Sequence, residues 1–284
     1  MRSQKSFKEQ NATLFLVTTP IGNLSDMTPR AVETLKNVAL IASEDTRVTK
    51  KLCTHFSIAT PLMSYHEHNK HQKNAGILDR LGQGEDVALV SDAGMPLISD
   101  PGDTLVEEVL NAGFAVVPIP GANAALTALV ASGLTAQPFL FYGFLERQKS
   151  KKTKELEGLK SLKATLIFYE SPHRIKETLT DMLAVFGNRS AVVARELTKV
   201  YEEFFRGDIE SLLDNLEQIK GEVVLLVEGT TDELAVHVWW EGLSLEAHVN
   251  HYVNEGKKTN DAIKAVAADL NVPKQVVYKE YHHD

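Results

Sequence analysis

The chain has 284 residues, 43% of them hydrophobic and 24% charged, the make-up of an ordinary soluble globular protein long enough for two domains. Its 30 basic and 38 acidic residues leave a net charge of −8, which speaks against a protein that coats nucleic acid nonspecifically through a broad basic face, and no DNA partner is expected. The single cysteine, Cys53, has no disulfide partner, cannot build a Cys-based zinc site and fits a reducing cytoplasmic setting.

Residues 1–12 read as a mobile tail, because Met1 to Gln10 is polar, carries Arg2, Lys5 and Lys8, and lacks the apolar core of a secretory signal. Apolar runs of strand length follow at Leu14–Val17, Val38–Ala42, Val87–Val90, Ala115–Val117, Phe139–Tyr142, Thr165–Tyr169, Ala191–Ala194 and Val223–Val227. Most are continuous rather than alternating, as expected of strands covered on both faces. The segments between them have helical spacing, so the expected class is α/β with largely parallel sheets. One helix start is clear. Thr28 can cap a helix with Pro29 at its first position, and Ala31, Val32, Leu35 and Val38 then form one apolar face. The longest apolar region, Phe114 to Leu134, is broken by Pro118, Pro120, Gly121 and Asn123 and reads as strand, turn and helix, with no membrane span.

A boundary near Pro138 to Lys154 divides a first sheet from a second, giving α/β domains over 13–119 and 120–230. Close to that joint, Arg147, Lys149, Lys151, Lys152 and Lys154 form the chain's one basic concentration, which is either a solvated helix start or an RNA contact. Residues 231–284 read as a small helical subdomain. Its patterns Asn260–Leu270 and Pro273–Tyr281, joined by Asn271-Val272, make an αα hairpin that resembles a helix-turn-helix and equally fits a helical cap on an enzyme.

The turns that follow the strands are rich in Pro and Gly: Thr18 to Asn23, Ser91 to Gly102, Pro118 to Asn123, Glu170 to His173 and Glu228 to Thr230. In open α/β sheets ligands bind outside the carboxyl ends of strands, so these turns predict a cleft. The loop Ser91 to Gly102 is far longer than a simple strand-to-helix connection needs. Its glycines fit neither phosphate-binding pattern, and Asp92, Asp100 and Asp103 would repel a pyrophosphate. The expected ligand is uncharged or cationic. Asp100, just before Pro101, could instead cap the next helix. His66, His68 and His71 lie in a polar segment without identifiable partner ligands, and no metal is expected.

Several ordered motifs carry a resemblance. They are Thr19-Pro20-Ile21-Gly22-Asn23-Leu24, Ser43-Glu44-Asp45-Thr46-Arg47, Ser64-Tyr65-His66-Glu67-His68-Asn69, the Ser91–Gly102 loop and Gly143-Phe144-Leu145. Ile167-Phe168-Tyr169-Glu170-Ser171-Pro172-His173-Arg174, Ala194-Arg195-Glu196-Leu197-Thr198-Lys199 and Gly221-Glu222 to Glu228-Gly229 continue them. Together they resemble the bacterial 16S ribosomal RNA (cytidine-2′-O)-methyltransferases, within the tetrapyrrole methylase-like class of S-adenosylmethionine enzymes. The resemblance implies two α/β domains with S-adenosylmethionine in the cleft between them, a homodimer, and a target cytidine in the decoding centre of the small ribosomal subunit. The chain departs from that pattern at Ala122, Asn123, Glu146 and Met95. Met95 matters most, since the family's usual threonine could hydrogen-bond a ligand whereas a thioether can only pack.

A cofactor carrying a sulfonium and an ammonium but no phosphate suits the acidic loop. The expected contacts are Pro20, Ile21 and Gly22, then Asp92, Ala93, Gly94, Met95 and Ile98, then Gly121 and Ala122, with Tyr169 and Glu228 beside them. A base would help the ribose hydroxyl attack, and Glu170, His173, Glu196 and Lys199 are the candidates. Arg47, Arg174 and Arg195, with Arg147, Lys149, Lys151 and Lys152, are the candidates for RNA phosphates; the first three could equally pair with Glu44, Glu170 or Glu196. Two other readings compete: a methyltransferase for a tetrapyrrole-like small molecule, and a ribosome-binding homologue without catalysis.

Overall fold

The computed structural model of the chain describes residues 4, 12–216, 219–231, 240, 242–270 and 272–282. They fall into two compact units, Met1–Thr230 and Thr231–Asp284. Of the expected tail, Gln4 and Ala12 are described and the rest lies outside the described residues. Gln4 pairs its side-chain amide with the backbone of Val116, at 3.0 Å in each direction.

The first sheet contains β1 (Thr13–Val17), β2 (Leu40–Ser43), β3 (Leu62–Ser64), β4 (Val87–Val90) and β5 (Ala115–Ile119), in the order β3-β2-β4-β1-β5. Every pairing is parallel. β2 and β4 are buried throughout, as continuous apolar runs demand. Alternate residues serve two cores. Val17, Ile41, Ala88 and Val90 pack with α1 (Pro29–Asn37) and α2 (Thr46–His55) on one face. Leu14, Leu40, Val87 and Leu89 pack with α3 (Lys70–Gly82) and α4 (Asp103–Asn111) on the other. The Thr28 hydroxyl accepts from the Ala31 N–H at 3.1 Å with Pro29 at the first position of α1, the expected cap. Val38 ends that helix rather than beginning the next strand.

β1 and β4 are neighbours, yet β1 leads into α1 on one face and β4 leads into α4 on the other. Such a switch point leaves a crevice at the strands' carboxyl ends. The loops Thr18–Gly22 and Ser91–Gly102 border it.

The second sheet contains β6 (Phe139–Phe144), β7 (Thr165–Glu170), β8 (Ser190–Arg195), β9 (Glu203–Asp208) and β10 (Val223–Val227), ordered β6-β7-β10-β8-β9. Here the expectation of largely parallel sheets fails. Only β6 with β7 is parallel, and β10 runs antiparallel to both β7 and β8, as β8 does to β9. An apolar run reports that both faces are covered and carries no information about direction. One face packs against α6 (Lys149–Leu159), α7 (Ile175–Phe186) and α8 (Ile209–Asn215). The other packs Ile167, Val192, Val224 and Leu226 against α5 (Ala124–Ser132) and Ile21. β3 and β9 have no counterpart among the apolar runs: one is three residues long, and the other is a half-exposed edge strand carrying Glu203, Arg206 and Asp208.

The second unit contains α9 (Leu245–Asn254), α10 (Thr259–Asp269) and α11 (Lys274–His282), around Val249, Ile263, Val266 and Val277. Its described residues form a cluster of three helices; the two-helix expectation missed α9, whose Ser244 cap accepts from the Ala247 N–H at 3.2 Å. Asn271, in the expected hairpin turn, lies outside the described residues. No helix among the described residues is long and apolar enough to cross a membrane.

Candidate active site

The crevice opens into a cavity of about 460 Å³, a size suited to a small-molecule ligand. Its floor is the Ser91–Gly102 loop, which is pinned to the turn after β1. The Thr19 N–H donates to the Gly94 carbonyl at 2.9 Å, and the Gly94 N–H returns a bond to the Thr19 carbonyl at 3.1 Å. The buried Ser91 hydroxyl donates to the Gly94 carbonyl at 3.1 Å, and the Thr19 hydroxyl donates to the Ser91 carbonyl at 3.2 Å. Gly94 takes φ +83°, and a Cβ there would lie 3.3 Å from Ile21 Cγ2, so a bare backbone is needed at the cavity wall. Leu97 and Ser99 also take positive φ, at 71° and 65°. Backbone held in this region by its surroundings is concentrated at ligand-binding sites.

One wall is acidic. Glu44 at the end of β2, Asp92 after β4 and Asp100 further along the loop all line the cavity. Burial, reinforced by the charges of Glu44 and Asp92, pushes the Asp100 carboxyl up to about 6. Glu44 is raised by its own burial and then by Asp92. Asp100 makes no helix cap: Gly102 occupies the N-cap of α4 without a side-chain bond, so the alternative reading of Asp100 is corrected. The same cavity is also lined by the apolar residues Ile21, Met95, Ile98, Tyr169, Leu197 and Val224. Tyr169 is set edge-on to Phe141 and Phe144, with centroids 4.9 and 5.7 Å away, and burial raises its phenol pKa.

Of the expected cofactor contacts, Ile21, Asp92, Ala93, Gly94, Met95, Ile98 and Tyr169 line one cavity. Pro20, Gly22, Gly121 and Ala122 stand in the adjoining turns without lining it. A Cβ on Gly22 would lie 2.5 Å from Lys199 Cγ, and one on Gly121 would lie 2.9 Å from Thr18 Cβ, so these two glycines permit close packing behind the wall. Glu228 is misplaced by the sequence reading. Because β10 is antiparallel to β7, Val223 pairs with Glu170 and Val227 with Leu166, and Glu228 follows at the end away from the cavity, its N–H donating to Ser190. The start of the strand faces the site instead, contributing Gly221, Glu222 and Val223.

Three of the four candidate bases, Glu170, Glu196 and Lys199, are committed to fixed side-chain bonds. Glu170 is buried in the cavity wall, its Oε1 accepting from the Ser171 N–H and its Oε2 from the Thr178 hydroxyl, both at 2.7 Å, with Arg174 Nη1 3.6 Å from Oε1. His173 is exposed and absent from the cavity lining. Lys199 Nζ donates to Glu196 and Glu222 at 2.8 Å each. These bonds outweigh its burial and raise its pKa, while the Lys199 bond and the Glu222 N–H hold Glu196 below its ordinary value.

The basic candidates separate as well. Lys152 is fully buried, 2.8 Å from Glu177 and 2.7 Å from Asp181, and cannot touch RNA. On α6 the apolar residues Leu156 and Leu159 set the inward face, and Lys152, one turn before Leu156, shares it. Arg147, Lys149 and Lys151 are exposed. Arg174 donates to the Leu145 and Glu146 carbonyls, and Arg195 pairs with Glu203 at 2.8 Å rather than with Glu196. Arg47 pairs with Asp45 at 2.6 Å and remains exposed. Among the described residues no cluster of His, Cys, Asp or Glu could hold a metal ion. Glu44 was legible as part of a motif at a strand end, but its place in the cavity was not. Leu197 and Glu222 likewise stood inside motifs, but nothing in their neighbours placed them in the cavity.

Two sheets border a crevice at a parallel switch point whose cavity is lined by acidic and apolar residues, an architecture suited to a small cationic ligand. Residues 13–213 match the model of the Tetrapyrrole (Corrin/Porphyrin) Methylases, and the chain belongs to that family as a methyltransferase. It is 54% identical to the Ribosomal RNA small subunit methyltransferase I of Bacillus subtilis, over 99% of both chains. It is 44% identical to the protein of the same name from Synechocystis, over 94% of this chain and 96% of that one. Among solved structures, diphthine synthase matches with a TM-score of 0.62 at 14% identity, covering 78% of this chain and 91% of that one. A Thermus thermophilus uroporphyrin-III-C-methyltransferase gives 0.54 at 19%, covering 77% and 94%. These two share the fold.

Proposed function

We propose that the chain transfers the methyl group of S-adenosylmethionine to the 2′-hydroxyl of a cytidine in 16S ribosomal RNA, acting in the cytoplasm as a homodimer on the small ribosomal subunit. The observation that carries the cofactor is that the carboxylates of Glu44, Asp92 and Asp100 and the apolar side chains of Ile21, Met95, Ile98 and Tyr169 line one cavity. The names of the full-length relatives support the RNA acceptor. A cation with an aromatic end fits such a cavity, and a phosphate ligand does not. The homodimer is supported by large apolar side chains left exposed, Leu126 and Val130 one turn apart on α5 and Val200 with Tyr201 after β8.

When bound, S-adenosylmethionine supplies a methyl group activated by its positive sulfur. The carboxylates of Asp92, Asp100 and Glu44 neutralise its cations. The bare backbone at Gly94 lets it approach the loop, and Ile21, Met95, Ile98 and Leu197 keep water from the reacting face. Glu170, Glu196 and Lys199 are all committed to fixed bonds and position the turns; as the O–methyl bond forms and the sulfur–methyl bond breaks, the displaced 2′-hydroxyl proton passes to solvent on the RNA side. The rate enhancement then comes chiefly from alignment, which supplies on the order of 7 to 11 kcal/mol when two reactants are held in line. A net charge of −8 gives little unspecific attraction to phosphate, so the assembled subunit is the expected substrate rather than naked transcript.

The test is nucleotide-resolved mapping of 2′-O-methylation after incubating unmarked small subunits with the protein and labelled S-adenosylmethionine, with tetrapyrrole precursors in parallel. Label on one cytidine ribose is expected. Label in the tetrapyrrole alone, or nowhere, would refute the proposal.

A further inference from the structure

A second depression, of about 600 Å³, lies against α2 and is lined by Thr46, Arg47, Lys50, Thr54, Thr60 and neighbouring apolar residues, with no carboxylate among them. Across Thr46–His55, α2 carries Arg47, Lys50, Lys51 and His55 and no acidic residue. All four are exposed. Among the described residues neither Lys50 nor Lys51 has an ion pair, whereas Asp45 engages Arg47 through Nε and Nη2. In a chain of net charge −8, this concentration of positive charge on one helix favours an anionic occupant.

Its position is as informative as its charge. The Asp45 N–H, at the N-cap of α2, donates to Asp92 Oδ1 at 3.0 Å, which ties the first turn of the helix to the cleft loop. Along a helix the rise is about 1.5 Å per residue, so Arg47 precedes Lys50 and Lys51 by roughly 4.5 to 6 Å. We propose that α2 and its depression hold the phosphodiester backbone of the RNA strand flanking the methylated nucleotide, with Lys50 and Lys51 as its principal cations. The proposal rests on the RNA reading above and adds to it a contact surface separate from the Arg147–Lys154 segment. The strand leaves the acidic cleft, where only the reacting nucleoside enters, and passes onto a cationic helix whose charge offsets the repulsion of Glu44 and Asp92.

The experiment compares the full-length wild type with Lys50→Glu/Lys51→Glu and with the milder Lys50→Gln/Lys51→Gln. Affinity for small ribosomal subunits is measured from about 50 to 200 mM salt, alongside methyl transfer, S-adenosylmethionine affinity and thermal midpoint. Removing two single-strand phosphate contacts lowers the slope of log K against log salt by about 1.4. Charge reversal is expected to weaken binding at least about tenfold and to raise KM for subunits with little change in kcat. Neutralisation gives a smaller effect in the same direction, and cofactor affinity stays at the wild-type value. An unchanged affinity and slope in folded variants of an active wild type overturns this proposal alone. If the wild type itself transfers no methyl group to small subunits, the RNA reading falls and this proposal falls with it.

Discussion

Replacing Asp100 by asparagine should make cofactor binding weaker at neutral pH and much less dependent on pH. In the folded protein burial and the neighbouring Glu44 and Asp92 charges raise the Asp100 carboxyl to about 6, from an ordinary value near 4. A cationic ligand binds best to the ionised form. That form is roughly a tenth of the population at pH 5 and about nine-tenths at pH 7 for such a group, so affinity is expected to rise by up to about tenfold across that interval. Near pH 6, binding should release about half a proton. Calorimetry in buffers of different ionisation enthalpy measures both quantities. The same group acts on stability with the opposite sign. Its folded pKa lies above its unfolded one, so stability without ligand falls as pH rises from about 4 to about 6, the window in which the unfolded chain alone loses the proton. Asp100→Asn removes that loss and should stabilise the protein at pH 7 by about 1 to 2 kcal/mol, a value discounted from the ~3 of the full shift because the group is partly solvated. Cofactor affinity that is flat from pH 5 to 7, or that keeps its slope in Asp100→Asn, would refute the assignment of this carboxyl to the cation.

Lys152→Met should cost about 3 to 5 kcal/mol in urea unfolding, because it strands the buried Asp181 carboxylate, and Lys152→Met/Asp181→Leu should recover most of it; a single-variant loss under about 1 kcal/mol would count against a buried pair. Gly94→Ala meets both the left-handed φ of +83° and Ile21 at 3.3 Å, and a loss of about 1 to 3 kcal/mol with weaker cofactor binding is expected, measured by denaturation and calorimetry. The wild type, with Met95 in the cavity wall, is expected to bind S-adenosylmethionine through the loop backbone; calorimetry that finds binding only in Met95→Thr would overturn this.

The apolar runs were enough to place β1, β2, β4 and β5 and the helices between them, because a strand covered on both faces must be apolar along its length. Thr28 and Pro29 marked their helix start through local bonding alone. The Ser91–Gly102 loop was legible as a ligand loop from its length, its glycine spacing and its acidic residues, all of which are properties of neighbouring positions.

Tertiary structure decided everything that depends on which distant segments meet. The direction of β10 moved Glu228 out of the site and brought Gly221 and Glu222 in, since residue periodicity is the same read in either direction. Lys152 looked like its exposed neighbours until α6 docked against α7 and buried it against Asp181. Asp100 was visible as an acid in a turn, but its raised pKa comes from packing and from Glu44 and Asp92, charges that the fold brings close. Local chemistry is written in consecutive residues, whereas burial and electrostatic coupling exist only after the chain has closed on itself.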